Sequence, residues 1–120
     1  MAGHILFIDD DLPLRETLSL YLRRNGIKVT SAGTCEEAQQ LAEKGGFSGV
    51  ILDIKLGCES GMELLSIFRK KYPDLPVVMF TSLGDDPALK SEAKARGARG
   101  FYPKTESLDA LLSGVKEMLA

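Results

Sequence analysis

The chain has 120 residues, of which 44% are hydrophobic, and its formal net charge is -2. A chain of this size suits a single domain, residues 1–120, with a sizeable core. Because its fifteen basic residues are scattered, the sequence does not favour direct binding to nucleic acid or to an anionic membrane. No apolar run approaches the roughly 20 residues of a membrane span, and the first residues do not resemble a secretory leader, so we expect a cytoplasmic protein.

Three residues that often carry chemistry have no evident partners in the sequence. Cys35 and Cys58 form no CxxC pair and belong to no histidine cluster, so both are interpreted as structural thiols rather than metal ligands or redox centres. Cys58 follows Asp53 in a predicted loop, which leaves a reactive thiol as its alternative. His4 precedes the first strand, and we expect it at the surface.

Short apolar runs alternate with amphipathic segments along the chain. The runs predict strands, and each following segment predicts a helix because its apolar residues recur every three or four positions. The predicted strands are residues 4–8, 27–31, 49–52, 77–80 and 99–102. The predicted helices begin near Pro13, Thr34, Ser60, Asp86 and Thr105. Residues 54–61 lack periodicity and carry two glycines, which predicts a loop.

Polar residues mark the predicted helix starts. Asp11 is the predicted N-cap of the first helix, because an acid at this position complements the helix start. Thr34 with Glu37, and Ser60 with Glu63, have the capping-box spacing.

The fourth predicted helix has a weak apolar face. Its apolar residues are only Ala88, Leu89, Ala93 and Ala95. We therefore expect this helix to pack loosely and to be among the more mobile elements.

Five strand–helix units predict an α/β fold with a parallel sheet. Right-handed crossovers between parallel strands place helices on both faces of such a sheet. The run 49–52 has no polar alternation, as expected for a central strand that is covered on both faces. A closed eight-stranded barrel needs about 200 residues or more, so this chain favours a doubly wound sheet.

Polar side chains follow the predicted strands, at the edge where parallel sheets bind ligands. They are Asp9, Asp10 and Asp11 after the first strand, Asp53 after the third, Thr81 and Ser82 after the fourth, and Lys104 after the fifth. Carboxylates this close repel one another unless a cation lies among them. Oxygen ligands without His or Cys favour Mg²⁺ over zinc. A carboxylate there can attack phosphorus while Mg²⁺, a hydroxyl and an ammonium neutralise the phosphoryl oxygens. The alternative for Asp53 is helix capping without chemistry.

These motifs resemble the receiver domain of two-component response regulators, the family of the chemotaxis response regulator. The matching motifs are Ile8-Asp9-Asp10-Asp11, Leu52-Asp53-Ile54-Lys55-Leu56, Phe80-Thr81-Ser82 and Pro103-Lys104. Each is weak alone, but four in this order, each at a strand end, are specific. The resemblance covers the whole chain and implies a flavodoxin-like (βα)5 fold with strand order 2-1-3-4-5.

The resemblance also implies the chemistry of the site. Asp53 would accept a phosphoryl group from a phosphohistidine on a sensor histidine kinase or phosphotransfer protein, and Thr81 and Lys104 would contact that group. The implied Mg²⁺ ligands are Asp9, Asp10, Asp53 and the backbone carbonyl of Lys55. Such a domain is an aspartate switch rather than a turnover enzyme.

The family's response to phosphorylation implies a switch in this chain. A threonine hydroxyl moves to the phosphoryl group, an aromatic ring on the last strand turns inward, and the face of the fourth helix, fifth strand and fifth helix changes. The corresponding residues are Thr81 and Phe101, with Tyr102 as the competing aromatic. The face would act on an effector domain, a downstream protein or a second copy of the chain.

The chain departs from the family pattern at two prolines. Gly57 and Thr105 replace prolines that usually stand four residues after the acceptor and directly after the lysine. Gly57 is expected to loosen its loop, and Thr105 removes an X-Pro bond that is commonly cis in the family. Lys55 and Leu83 occupy variable positions that set the rate of phosphate hydrolysis in the family.

Two other functions remain open. A haloacid-dehalogenase-like phosphatase would use Asp9 as nucleophile, but the acid pair expected after the lysine is represented only by Glu106 and Asp109, and the chain is short for that fold. The other alternative is a phosphorylation-independent interaction module that docks through the last helix.

Overall fold

The computed structural model describes residues 3–57, 59–82, 86–105 and 107–120, and within them it contains seven strands and five helices. The strands are β1 (His4–Ile8), β2 (Lys28–Ala32), β3 (Gly49–Leu52), β4 (Lys55–Leu56), β5 (Glu59–Ser60), β6 (Val77–Thr81) and β7 (Gly100–Pro103). The helices are α1 (Leu12–Arg24), α2 (Cys35–Lys44), α3 (Gly61–Lys71), α4 (Pro87–Ala95) and α5 (Leu108–Leu119).

Five strands form one parallel sheet in the order β2-β1-β3-β6-β7. Counted over these five strands alone, this is the predicted order 2-1-3-4-5, and the predicted doubly wound α/β fold is confirmed. The remaining two strands, β4 and β5, form a short antiparallel hairpin between β3 and α3. The segment predicted as a loop therefore contains a hairpin.

The side chains of the central strands pack on both faces of the sheet. On one face Leu6, Leu52 and Met79 pack with residues of α2, α3 and α4, and Cys35 is buried in this layer. On the other face Phe7 packs with residues of α1 and α5. All four residues of β3 are buried, which explains why its sequence shows no polar alternation.

Most of the predicted helix starts agree with the structure, and two need local corrections. The side chains of Asp11, Thr34 and Asp86 accept hydrogen bonds from backbone N–H groups in the first turns of α1, α2 and α4. Ser60 precedes α3, but its side chain makes no capping hydrogen bond, so the capping box expected there is wrong. The last helix begins at Leu108, three residues beyond the expected start.

The structure corrects the expected isolation of His4. His4 is half-buried, its Nε2 lies 2.7 Å from the Thr30 hydroxyl oxygen, and its ring lies 4.6 Å from that of Phe47. The neighbouring strand provides the partner, which a reading of local sequence does not reveal.

The packing of α4 is as weak as its sequence predicts, because Ala93 is its one buried residue. Its mobility stays a prediction. Across the described ranges, none of the helices is both long enough and apolar enough to cross a membrane. Three residues with assigned sequence roles lie outside the described residues, namely Cys58, Leu83 and Glu106.

Candidate functional site

The candidate site lies where four strands of the parallel sheet end. Asp9 follows β1, Asp53 follows β3, Thr81 ends β6 and Lys104 follows β7. The two aspartates and the threonine are buried, although they are polar, whereas Ser82 is exposed. Because buried polar groups cost free energy unless they are partnered, this concentration marks a site rather than ordinary core.

Lys104 joins the two buried carboxylates. Its Nζ lies 2.9 Å from Asp53 Oδ2 and 2.7 Å from Asp9 Oδ2. Its backbone N–H donates to the Thr81 carbonyl at 2.9 Å, which fixes the chain where β7 ends. One ammonium therefore faces two carboxylates, and the described cluster of Asp9, Asp10, Asp53 and Lys104 carries excess negative charge.

The pKa values of Asp9 and Lys104 reflect this environment. Desolvation is the main cause that raises the pKa of Asp9, and the nearby Asp53 charge adds to it, against the lowering effect of Lys104. For Lys104, desolvation lowers the pKa, but the hydrogen bonds with Asp9 and Asp53 outweigh it and the net pKa is raised. The Lys104 ammonium thus stays charged at neutral pH. The charged carboxylate form of Asp9, by contrast, is less favourable here than in water.

Three carboxylates have the arrangement of a cation site. Oxygen atoms of Asp9, Asp10 and Asp53 all lie within 4.8 Å of one another. Asp9 Oδ2 is buried and, among the described residues, accepts no well-directed hydrogen bond despite its ion pair with Lys104. A hard divalent cation such as Mg²⁺ fits this set of oxygen donors. Asp11 instead caps α1, as predicted.

The hairpin after β3 contacts the exposed member of this cluster. The Gly57 N–H donates to Asp10 Oδ2 at 2.8 Å, and Gly57 has a φ of 63°. Proline has no N–H and a φ fixed near -65°, so the family's usual proline could not adopt this local structure. The replacement therefore adds a contact to the acidic cluster, where a looser loop was expected.

The backbone around Asp53 is tightly held. Its N–H donates to the Ile8 carbonyl at 3.1 Å, and its Oδ1 accepts from the Ile54 N–H at 2.7 Å. At Gly61, the first residue of α3, a Cβ atom would overlap the Asp53 carbonyl oxygen. Only glycine lets α3 begin this close to the site.

The two adjacent aromatic residues of β7 face opposite sides of the sheet. Phe101 packs with the layer of α2, α3 and α4, and Tyr102 packs with the layer of α1 and α5. Phe101 also lines a cavity of about 180 Å³ together with Lys90, Lys94 and Arg99. Tyr102 lies directly against Gly114 of α5. Free space therefore adjoins the Phe101 ring.

A model of the response regulator receiver domain matches residues 5–116. The chain belongs to this family. Receiver domains of two-component response regulators are phosphorylation-activated switches rather than members of a classical enzyme family, and the predicted family is confirmed.

Relatives of this receiver domain include larger proteins. It is 39% identical over 118 residues to the C4-dicarboxylate transport transcriptional regulatory protein DctD of Pseudomonas aeruginosa, covering 96% of this chain and 25% of that protein. The chain spans between 24% and 51% of the length of the first curated relatives it matches.

Solved receiver structures share the fold closely. Chemotaxis protein CheY4 of Vibrio cholerae has a TM-score of 0.90 and 29% identity, covering 99% of this chain and all of that one. A response regulator from Burkholderia pseudomallei, solved with a phosphorylated aspartic acid, a calcium ion and citrate, has a TM-score of 0.86 and 28% identity, covering 93% of this chain and 65% of that one.

One side chain that contacts the site of this receiver domain was not predicted from the sequence. Arg15 of α1 donates from Nη1 to the Asp9 carbonyl at 3.2 Å. In the sequence it is one of fifteen basic residues with no distinguishing motif. Its position four residues after a predicted N-cap, and so one turn into α1, was the available signal.

Proposed function

We propose that Asp53 accepts a phosphoryl group from a phosphohistidine of a sensor histidine kinase or phosphotransfer protein. The observation that carries this proposal is the buried Asp53 carboxylate, which lies 2.9 Å from the Lys104 ammonium and next to two further carboxylates. In the proposed step an Asp53 oxygen forms a bond to phosphorus, the phosphorus–nitrogen bond breaks, and the imidazole leaves with the bonding pair and takes up a proton.

The proposed cation is Mg²⁺, with Asp9, Asp10, Asp53 and the backbone carbonyl of Lys55 as its protein ligands. When bound, it would supply positive charge to neutralise phosphoryl oxygens. Lys104 would then contact the phosphoryl group from the side of β7. The calcium ion that accompanies a phosphorylated aspartic acid in the Burkholderia pseudomallei relative supports a divalent cation at this kind of site.

The proposed switch couples the site to the face formed by α4, β7 and α5. Thr81 is buried at the end of β6, where its carbonyl accepts from the Lys104 N–H, and its hydroxyl would bind the phosphoryl group. Phe101 would respond by moving further inward, which the adjacent cavity supports. Tyr102 is less suited because Gly114 lies against its ring.

The output of the switch is a further proposal. Residues 1–120 form a single receiver domain in this proposal, and its α4–β7–α5 face acts on an effector domain, on a downstream protein or on a second copy of the chain. The greater length of the curated relatives supports an effector domain. The cytoplasm remains the expected location. The expected chemistry is that of a self-modifying aspartate switch rather than of a turnover enzyme.

The phosphatase alternative has weaker support. Of its two available acids, Asp109 accepts a hydrogen bond from the Tyr21 hydroxyl on α1, and Glu106 lies outside the described residues. The interaction-module alternative requires no chemistry, yet the acids and the lysine are arranged as phosphotransfer needs. The receiver function is therefore the one that we propose.

Acetyl phosphate with Mg²⁺, followed by borohydride trapping and peptide mapping, tests the phosphoacceptor. We expect a label on Asp53 that is lost in Asp53→Ala and retained in Asp109→Asn, which removes a carboxylate away from the acidic cluster. A label on Asp9 would support the phosphatase instead. An unlabelled wild-type protein would exclude both reactions with this donor and favour the interaction module.

Beryllofluoride tests the switch. We expect NMR shift changes in α4, β7 and α5 of the wild-type protein, and a marked reduction of these changes in Thr81→Ala. The Phe101→Ala variant should lose the response around α4, whereas Tyr102→Phe should keep it. If Thr81→Ala responds as the wild type does, Thr81 is not the coupling residue.

A further inference from the structure

We propose that Arg15 and Gly33 together hold the acid loop, residues 9–11, in the geometry that binds the divalent cation. Arg15 is then a positioning residue of the site, since it acts through Asp9 and Asp11. This inference rests on the proposed cation site. It assigns a supporting role there to Arg15 and Gly33, which provide no ligand atom.

The side chain of Arg15 contacts the start of the acid loop, and its backbone contacts the end. Its guanidinium donates from Nη1 to the Asp9 carbonyl at 3.2 Å, and its backbone N–H donates to the Asp11 carbonyl at 3.0 Å. Within the loop, the Asp11 N–H donates to Asp9 Oδ1 at 3.0 Å. These contacts bracket Asp10 and fix the direction of the Asp9 carboxylate.

Gly33 provides the space for the guanidinium. A Cβ atom on Gly33 would overlap Arg15 Nη1 and lie 3.2 Å from Cζ. The backbone of Gly33 lies outside the positive-φ region among the described residues, so alanine is conformationally acceptable there. The requirement for glycine at this position is therefore steric, and it concerns the Arg15 side chain.

The guanidinium of Arg15 lies between Asp9 and Gly33. Arg15 Nε is buried and, among the described residues, has no hydrogen-bond partner. The Asp9 N–H donates to the carbonyl of Ala32, the residue before Gly33. Arg15 thus lies over the ends of β1 and β2, where it contacts both following residues.

The charge of Arg15 and its positioning role predict opposite effects of its removal on Mg²⁺ binding. Arg15 is a cation next to a cation site, so Coulomb repulsion alone predicts that its removal tightens Mg²⁺ binding. If Arg15 positions the ligands, its removal weakens binding instead, and loss of such supporting residues typically costs about 10- to 100-fold in metal affinity. The sign of the change therefore distinguishes the two roles.

Isothermal titration of the metal-free protein with Mg²⁺ makes this test. We expect Arg15→Gln to weaken binding by about tenfold or more, and Arg15→Lys to weaken it less if its ammonium still donates to the Asp9 carbonyl. Gly33→Ala, which changes no charge, should weaken binding similarly by displacing the guanidinium. The double variant should be no weaker than Arg15→Gln, because both changes remove the same contact.

Arg24 provides a matched control on the same helix. It is exposed, and within the described part of the chain its side chain has no hydrogen bond or ion pair. Arg24→Gln removes the same charge about 13 Å further along α1 and should not weaken Mg²⁺ binding. Thermal unfolding of every variant checks that the fold is retained.

Amide hydrogen exchange gives a second readout without the cation. The Asp11 N–H should exchange faster in Arg15→Gln and Gly33→Ala, and at the wild-type rate in Arg24→Gln. If the wild-type protein binds Mg²⁺ but Arg15→Gln and Gly33→Ala bind it equally or more tightly, the positioning role is overturned while the cation site stands. A wild-type protein that binds no Mg²⁺ overturns the cation site itself and the role with it.

Discussion

The helices α4 and α5 flank the same edge strand, β7, yet they are attached to it in different ways. In α5, Leu111, Val115 and Met118 are buried, and Gly114 lies directly against Tyr102. In α4, Ala93 is the one buried residue, and a cavity separates part of the helix from Phe101. The helix α5 is thus fixed by complementary packing, whereas α4 has much less of it.

The polar contacts of α4 reinforce this contrast. The Asp86 side chain caps its first turn, and Arg96 at its end donates to the Met62 carbonyl at 3.2 Å and to the Ser66 hydroxyl at 3.0 Å. Because repacking an apolar layer costs more than rearranging a few hydrogen bonds, we expect α4 to shift more easily than α5. A switch at this face would use α4 as its moving part.

A matched pair of leucine substitutions has the largest expected effect on this contrast. Leu111→Ala in α5 should lower the free energy of unfolding by about 2–5 kcal/mol, because it creates a cavity in the core. Leu89→Ala in α4 should cost about 1 kcal/mol, since the half-buried side chain loses less transfer free energy. Urea unfolding measures both. Equal losses would mean that α4 packs as firmly as α5.

Gly114 allows a second test of the α5 contact. Gly114→Ala should destabilise the protein by about 1–3 kcal/mol, because the new Cβ overlaps the Tyr102 ring. In a Tyr102→Ala background the same change should stabilise the protein by up to about 1 kcal/mol, as alanine is the better helix former. Urea unfolding of the four proteins completes the cycle. The same sign in both backgrounds would show that Tyr102 does not set the requirement for glycine.

Arg96 tests the terminal attachment of α4. Arg96→Gln should cost about 1 kcal/mol in global stability but should clearly speed amide exchange in the last turn of α4. Glu92→Gln is the control, because it removes only the Arg96–Glu92 ion pair at 2.9 Å. Unchanged exchange in Arg96→Gln would place the attachment of α4 elsewhere.

The smallest expected effect concerns the link between α5 and α1. The Tyr21 hydroxyl donates to Asp109 Oδ1, and this hydrogen bond, followed by desolvation, raises the pKa of Tyr21 above its ordinary value of 10.0. Because the folded state favours the protonated phenol, the Tyr21–Asp109 hydrogen bond stabilises the folded state below pH 10.0. This contribution is lost as pH rises through the raised pKa of Tyr21.

Two measurements follow from this pKa shift. The stability difference between the wild type and Tyr21→Phe should shrink at alkaline pH. By NMR titration, Asp109→Asn should lower the pKa of Tyr21 towards 10.0. An unchanged pKa in Asp109→Asn would contradict the link.

The sequence predicted those features that repeat locally. Apolar runs marked the strands, and the polar residues after them marked the edge where Asp9, Asp53, Thr81 and Lys104 meet, because parallel strands bring their carboxyl ends together. Their individual roles in phosphotransfer stay predictions.

Contacts between distant residues had no comparable signal. The Arg15–Gly33 contact joins a helix to a loop eighteen positions away in the sequence, and the His4–Thr30 contact depends on the pairing of β1 with β2. Ser60 failed as a cap although its spacing was right. Motif spacing describes which contacts a backbone permits, and tertiary packing decides which of them form.

Two glycines lie close to Asp53 for different reasons, Gly57 in the hairpin and Gly61 at the start of α3. Gly57 has a φ of 63° and open space around its Cα, whereas Gly61 faces the Asp53 carbonyl oxygen. Asparagine tolerates positive φ, so residue 57 should drift between glycine and asparagine among descendants of this chain. Residue 61 has no such freedom. The structure thus restricts residue 61, which carries no functional group, more strictly than residue 57.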